Sequence, residues 1–512
     1  MKPFRISLLL ILAVSVLGFR CLAEEKPEPT SIALGADRHL FLDDSLIDPL
    51  LSRNVTRQIN PPQDFRRILK PEMPWEALGF IFYASVVDHE GTAMLYYGCY
   101  DDEKKKHLCL ATSQDGLQWE RPDLKLLTYR GTTENNLFPL EAVEAGVFLD
   151  PMAPPEKRFR LLHNRYWPDP KKAGVYLSSS ADGIHWKQSE TRLLPLVPDS
   201  QPSAYWDPIR KTYAIFLRAW DPKRSIGRVE TANLETPWPY DTGIPPFHVW
   251  GQEKVATVSR ELPIVMRPNN RDPANLHLYT STTFRYPWAE NAYLAFPAAY
   301  FLFPKDEGLN GNDGTFDIQL AVSRDGIDWE RFQDTPWVKP ETLDGVALRL
   351  VSMGTGMIRR GNELHQYFIA WPYTHGRPVV WDRDLEDRAN WLKKDLGGIY
   401  CATSRRDGFV SIDAEENKEA VFTSKPLTFQ GSQLTLNLKT EESGAASIAF
   451  LNAEGKAIPG FGHADSPEIH GDSTEFPVTW KSGHDLKELS GQTVRLQVKM
   501  RDAKLFAIEF AR

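Results

Sequence analysis

The chain has 512 residues, 42% hydrophobic and 25% charged, which is too long for one ordinary core and too apolar for disorder. A formal charge of −8 speaks against a nucleic-acid partner, which needs a basic face. Aromatic residues make up 11%, with 15 Trp, 38 Pro and 33 Gly; that balance points to an all-β architecture with many turns and to surfaces on which a flat ring can stack.

Lys2 and Arg5 precede an uncharged apolar run over 6–19, and Cys21-Leu22-Ala23 brings small residues to a cleavage point. A spanning helix needs about 20 apolar residues, more than this run supplies. Residues 1–23 therefore read as an export signal cut near Ala23, giving a secreted or periplasmic protein. Loss of Lys2, Arg5 and Arg20 takes the formal charge from −8 to −11. No other stretch is apolar enough for a membrane span. In an oxidising compartment Cys99 and Cys109 can bridge across the polar tip 101–106, and two unpaired thiols on adjacent strands are the equal alternative. No Cys/His spacing suggests a metal site.

The strongest internal signal is a repeated phrase. It reads Ser113-Gln114-Asp115-Gly116-Leu117-Gln118-Trp119, then Ser180-Ala181-Asp182-Gly183-Ile184-His185-Trp186, then Ser323-Arg324-Asp325-Gly326-Ile327-Asp328-Trp329, with a degenerate copy at Ser404 to Phe409. A fifth copy that has lost its Asp-Gly ends at Trp238. The units are about 70 residues long, and a fixed period of β units means a propeller. Each has the same order: in the second, strand A is GVFLDP from Gly146, B is RFRLLHNRY from Arg158 and C is GVYLSSS from Gly174. The Asp-Gly phrase has a structural job: Ser and Asp close a turn, Gly accepts positive φ and Trp fills the gap between blades. After Ser411 the repeat stops and short strands follow (LTLNLK, SIAFLNAEG, VRLQVK, KLFAIEF). The sequence predicts a five-bladed β-propeller over 36–410 and a C-terminal β-sandwich over 411–512.

Alternating strand direction places the Asp-Gly turns on one face of such a propeller. Residues before each strand A and after each strand B collect in a funnel on the other. Before A these are Glu76 for the first unit, Glu134, Asn135 and Asn136 for the second, Asp199 for the third and His277 for the fourth. After B they are Asp101, His163, Arg165, Tyr166, Arg218, Trp220, Trp371 and His375. Glycoside cleavage needs this mixture: one acid to protonate the leaving oxygen and one carboxylate as base or nucleophile, with aromatic faces for the sugar and Arg for anionic groups. Glu76 and Asp199 are the candidate carboxylates, with His375 as acid or sugar ligand. Asp101, Arg165, Tyr166, Arg218, Trp220, His277 and Trp371 are the candidate substrate contacts. No metal ligand set or cofactor is expected.

The Ser-x-Asp-Gly-x-x-Trp tails resemble those of the five-bladed propeller glycosidases, glycoside hydrolase families 32, 43 and 117. Leu40-Phe41-Leu42-Asp43-Asp44, Pro74-Trp75-Glu76, Phe148-Leu149-Asp150-Pro151, Ala204-Tyr205-Trp206-Asp207-Pro208 and Tyr286-Pro287-Trp288-Ala289-Glu290 are similar to phrases of secreted glycosidase-like propellers from planctomycetes. The resemblance runs from about residue 36 to the end. It implies a propeller followed by a sandwich and hydrolysis of an extracellular polysaccharide or oligosaccharide, and it allows a structural calcium ion on the axis. The chain departs from family 32 in having neither a Trp-x-Asn-Asp-Pro-Asn-Gly phrase nor a Glu-Cys phrase, which argues against fructan cleavage. Two other functions draw on the same residues: a non-catalytic carbohydrate-binding propeller, and a polysaccharide lyase using His163, Arg165, Tyr166 and His375. The export reading has a direct check: Edman or mass-spectrometric analysis of the protein recovered from the medium or periplasm should give Glu24 as the first residue, and Met1 would contradict it.

Overall fold

The computed structural model describes residues 31–511 apart from 141, 143, 167–171, 221, 239–246, 251–252, 257–261, 306–310, 378–384, 416–417 and 482. The expected export signal over 1–23 lies outside the described residues. Those described are nearly all strand and loop, with Leu385–Leu392 the sole α-helix among them. No helix is long and apolar enough to cross a membrane.

Four small antiparallel sheets follow one another in a propeller-like arrangement. The first is Phe80–His89, Thr92–Tyr100 and Lys106–Ser113, and the second Gly146–Leu149, Phe159–Arg165, Gly174–Ser180 and Lys187–Gln188. The third is Ser203–Asp207, Thr212–Trp220, Arg224–Thr231 and Ile264–Met266, and the fourth Thr283–Arg285, Tyr293–Ala295, Leu320–Ser323 and Glu330–Phe332. The first strand of each lies innermost. Val86, Gly146, Ser203 and Thr283 line one channel of about 160 Å³ together with Thr355 and Gly356.

An eight-stranded sheet completes this part of the chain. It runs Leu276–Leu278, Ala298–Leu302, Gly314–Ile318, Leu350–Met353, Glu363–Trp371, Gly398–Arg405 and Asp64–Leu69, with Ile358–Arg360 also paired to Glu363–Trp371. Its first three strands continue those of the fourth sheet past a bend, where Thr282 takes φ +40 and donates through Oγ1 to the Met353 carbonyl at 3.0 Å. Its last strand comes from the N-terminal side of the chain: Asp64–Leu69 pairs antiparallel with Gly398–Arg405. Ser85 bridges Thr355, so this sheet also meets the first one at the axis.

The repeated phrase makes the expected turns, and each docks on a neighbouring sheet. Leu117 N and Gln118 N both donate to Asp115 Oδ1 at 2.8 Å, Gly116 N donates to Ser113 Oγ, and Gly116 has φ +80. The same bonds recur at Asp182 and Asp325. Tyr367 OH donates to Gly116 O at 2.8 Å and Tyr96 OH to Gly183 O at 2.9 Å, each from the sheet alongside. Trp119 meets Tyr367 edge-on at 5.2 Å, Trp186 meets Tyr96 at 6.0 Å and Trp329 meets Phe216 at 6.0 Å. Asp150 and Asp207 accept from Tyr213 and Tyr293 of the next sheet. Hydrophobic clusters fill the space between successive sheets, as where Val87, Tyr96 and Leu110 of the first meet Val147, Phe159 and Leu161 of the second. Asp and Trp of the repeat therefore carry the structural role expected of them.

The C-terminal region is one nine-stranded hydrogen-bonded sheet built on the long pair Gln433–Asn452 and Val494–Ala511. It takes in the N-terminal segment: Val55–Ile59 pairs with Val410–Ala414, and His39–Leu40 with Ala507 and Ile508. Placing residues 36–59 with the propeller is thus corrected, since their backbone partners lie about 350 to 470 residues away and no local pattern announces them. Arg38, 3% exposed, joins the two parts through Asp407 at 3.0 Å and Glu509 at 2.8 Å. Cys99 and Cys109 are buried thiols with their sulfurs 3.4 Å apart.

Two glycines separate backbone strain from packing. Gly91 (φ +82) has open space where a Cβ would go, whereas a Cβ at Gly116 (φ +80) would lie 2.6 Å from Ile358 Cδ1 and 2.8 Å from Tyr367 OH. Gly91→Ala should cost about 1 kcal/mol. Gly116→Ala should cost about 2–4 kcal/mol, because overpacking adds to strain. Urea midpoints check the order, and equal losses would mean that the turn does not bear on the neighbouring sheet.

Candidate active site

The loops entering the inner strands of the second and third sheets bring two carboxyl groups to one hydroxyl. Glu144 precedes Gly146–Leu149 and Asp199 precedes Ser203–Asp207. Tyr166, just past the strand Phe159–Arg165, donates to Glu144 Oε2 at 2.7 Å and lies 3.2 Å from Asp199 Oδ1. A shared neighbour holds the nearest carboxyl oxygens within about 6 Å of each other. The two environments differ. Glu144 is 8% exposed and takes a further bond from Asn164 Nδ2. Burial pushes its pKa up, the Asp199 charge adds to that, and Lys106 opposes it. Asp199 has a side chain 39% exposed and an ion pair from Asp199 Oδ2 to Arg218 Nη1 at 2.9 Å. Its backbone sits at φ +51, a left-handed conformation costing on the order of 1 kcal/mol.

Arg218 is fully buried. Its Nε donates to the Tyr279 carbonyl at 3.0 Å, and its guanidinium carbon stands 3.8 Å from the Tyr279 ring centroid. Burial works against its charge, but Tyr279 and Asp199 outweigh that and raise its pKa. Beyond Tyr279 lie Tyr300, His277, Trp220 and Arg224, with Arg224 4.7 Å from the Trp220 ring and 5.4 Å from that of Tyr300. On the other side a cavity of about 690 Å³ opens beside Glu144, lined by Lys106, Asn164, Arg165, Tyr166 and Glu190 among others. Arg165 faces it while held by Gln188 Oε1 at 2.8 Å and stacked on Tyr176.

Asp199, Arg218 and Tyr166 are thus brought together, Trp220 and His277 flank them, and Arg165 lines the adjoining cavity. Four other expectations are corrected. Glu76 is completely buried, and its oxygens accept from Tyr97 OH (2.7 Å), Arg121 Nε and Nη2 (both 2.9 Å) and the backbone N–H groups of Glu72 and Met73. With five donors it anchors a loop and shares no partner with Asp199. Asp101, 2% exposed, caps the hairpin after Thr92–Tyr100 by accepting from Glu103 N, Lys105 N and His107. Trp371 is a core residue, edge-on to Phe82 at 5.1 Å. His375, 3% exposed, has Nδ1 at 3.0 Å from the Asn312 carbonyl, which fixes the proton there, so Nε2 accepts from Tyr279 OH at 3.0 Å. Burial lowers its pKa to about 4, so the ring is neutral and supports Tyr279 rather than supplying a proton.

Glu144 and Arg224 were missed. Glu144 stands two residues before the inner strand, where the rule used for Asp199 would have found it; that rule was applied instead to 134–136. There Asn136 Nδ2 donates to Tyr97 OH and the Leu110 carbonyl, a packing role. Nothing local marked Arg224, whose setting comes from the third sheet and the eight-stranded one. Among the described residues no group of three or more His, Cys, Asp or Glu could hold a metal. The axis does not fit a calcium ion: Gln201 Nε2 points there, donating to the Ala84 and Ala145 carbonyls and Ser85 Oγ, and an N–H donor repels a cation.

No family model and no curated protein sequence matches the chain. Solved structures similar to it include a thermostable family-43 glycoside hydrolase (13% identity, TM-score 0.39, 65% of this chain and 92% of that one). A glycosyl hydrolase from Bacteroides ovatus also aligns (11%, 0.40, 63% and 95%). So does an N-acetylgalactosamine deacetylase from F. plautii in complex with blood group B trisaccharide (12%, 0.38, 69% and 96%). At these scores the likenesses carry no argument about chemistry, which rests on the geometry above. The buried role of Glu76 is testable: Glu76→Ala should lower stability by about 3–5 kcal/mol, because it strands Arg121. Turnover per folded molecule should stay unchanged, as read by kcat below the melting range.

Proposed function

We propose that the chain is a secreted glycoside hydrolase acting on an extracellular polysaccharide or its oligosaccharides, built as a five-bladed propeller with a C-terminal sandwich. The fifth blade is the branch of the eight-stranded sheet from Leu350–Met353 to Asp64–Leu69. The contacts Ser85–Thr355 and Tyr367–Gly116, which bring it against the first sheet, support that count. The sandwich is the nine-stranded C-terminal sheet folded on its two long strands. Export through residues 1–23 remains the sequence's expectation.

One observation carries the catalytic reading: two carboxyl groups from adjacent inner loops meet at Tyr166 OH in opposite electrostatic settings. Glu144, whose pKa burial raises, is the acid that gives its proton to the leaving oxygen. Asp199, ion-paired to Arg218, is the carboxylate that attacks or stabilises the anomeric carbon. Environments that split a carboxyl pair in this way assign acid and base roles. The nearest oxygens lie within about 6 Å, below the roughly 6.5–9.5 Å of inverting pairs, and this favours the retaining class. In a binding-only propeller nothing would require Glu144 to be buried beside a second carboxylate. A lyase would need a basic histidine, whereas burial lowers the His163 pKa to about 3 and the His375 nitrogens are engaged by Asn312 and Tyr279.

A screen on plant and marine polysaccharides supplies the substrate, and NMR of the first-formed anomer should show retention. Glu144→Gln and Asp199→Asn should each lower kcat/KM by about 10²–10⁴ at unchanged melting temperature. Glu144→Gln should keep most of its kcat/KM on aryl glycosides, whose leaving group needs no proton, while kcat falls because the second step loses its base. The wild-type rate should fall as pH rises through the raised Glu144 pKa, later than an ordinary Glu near 4.3 would allow, and Glu144→Gln should lose that limb. Full activity in both amide variants would sink the assignment.

A further inference from the structure

Next to the carboxylate pair stands a cationic corner that no acid among the described residues neutralises. Arg224 is 8% exposed. Its Nη2 donates to Asn312 Oδ1 at 2.8 Å, its Nε has no hydrogen-bond partner, and its plane is flanked by the Trp220, Tyr279 and Tyr300 rings. Lys223 Nζ, beside it, donates to the Ala274 carbonyl at 2.8 Å. Among the described residues neither cation has an ion-pair partner: Asp199 is taken by Arg218, and Asp313 Oδ1 accepts from Gly314 N and Gly376 N. His277 Nδ1 accepts from Arg224 N at 3.3 Å. Burial lowers the His277 pKa to about 4, with Arg224, Lys223 and Arg218 adding to the shift, so the corner holds a positive field that its own histidine cannot share.

A desolvated guanidinium without a counter-charge is costly, and an aromatic sleeve fixes its orientation without neutralising it. A carboxylate or sulfate arriving on a substrate would supply the missing charge and match the guanidinium fork. The shared Tyr279 ring ties this corner to Arg218 and hence to Asp199. We infer that Arg224, Lys223 and His277 form a subsite for an anionic substituent of the saccharide, so that the substrate class is acidic: a uronate or a sulfate ester. This rests on the hydrolase reading for its substrate but not for its binding test.

The test is calorimetric titration of the full chain with methyl glucuronide, methyl glucoside 6-sulfate and methyl glucoside, at low and high salt. One anionic probe should bind at least about tenfold tighter than the neutral one, and which of the two does so identifies carboxylate or sulfate. High salt and Arg224→Gln should each abolish the preference while moving the neutral affinity by less than about twofold. Arg224→Lys should keep part of it, and Lys223→Gln, at a half-buried position, should weaken it in the same direction. Equal binding of all three probes, no binding of either anion, or equal loss of all three in Arg224→Gln overturns the inference. An anion preference without cleavage of any saccharide would sink the hydrolase reading and leave the subsite standing. Cleavage of neutral chains with no anion preference would do the reverse.

Discussion

The structure depends on one repeated constraint: each sheet must be held at a fixed angle to the next by a polar turn read from the side. The Ser-x-Asp-Gly turn exposes a glycine carbonyl that a tyrosine of the adjacent sheet takes up, as Tyr367 does at Gly116 and Tyr96 at Gly183. On the inner turns Asp150 and Asp207 receive Tyr213 and Tyr293 in the same spirit. Hydrogen bonds to a charged acceptor contribute about 1.5–3 kcal/mol each, and they are directional where the hydrophobic clusters between sheets are not. Burial holds the sheets together, and these staples set the angle at which they meet.

That angle makes the site. Once inner strands crowd a common axis, the short loops before them must converge, and whatever they carry is forced into contact. Glu144 and Asp199 sit 55 positions apart in the chain, yet both reach the same tyrosine hydroxyl. Two carboxyl groups so close cannot both be ionised cheaply. The fold resolves this by burying Glu144 and giving Asp199 an arginine. Arg218 is in turn fixed by Tyr279, and Tyr279 by a histidine that burial keeps neutral.

Much of this was legible beforehand. The period of Asp-Gly-x-x-Trp predicted repeated β units, and the turn chemistry assigned those aspartates to structure, as found. Direction of strands grouped Asp199, Arg218, Tyr166, Trp220 and His277, and the first three do meet. The failures share a cause. Glu76, Asp101, Trp371 and His375 lie on the right loops, but sequence position says nothing about whether a side chain meets solvent or a set of donors. Of the five donors around Glu76, Tyr97 lies on a strand and Arg121 on a loop 45 positions away, and no local pattern encodes their meeting.

What the sequence determined by itself was the local chemistry that repeats: alternating strands, glycine turns with positive φ, and tryptophans at a fixed offset. These follow from interactions between residues a few positions apart. What only the tertiary structure decided was everything set by distant partners. Asp64–Leu69 completes a sheet with Gly398–Arg405, residues 32–59 join the C-terminal strands, Glu144 rather than Glu76 shares Tyr166 with Asp199, and Arg224 has no ion-pair partner among the described residues. Burial and electrostatic pairing are properties of the assembled sheets, and they exist only once those sheets have met.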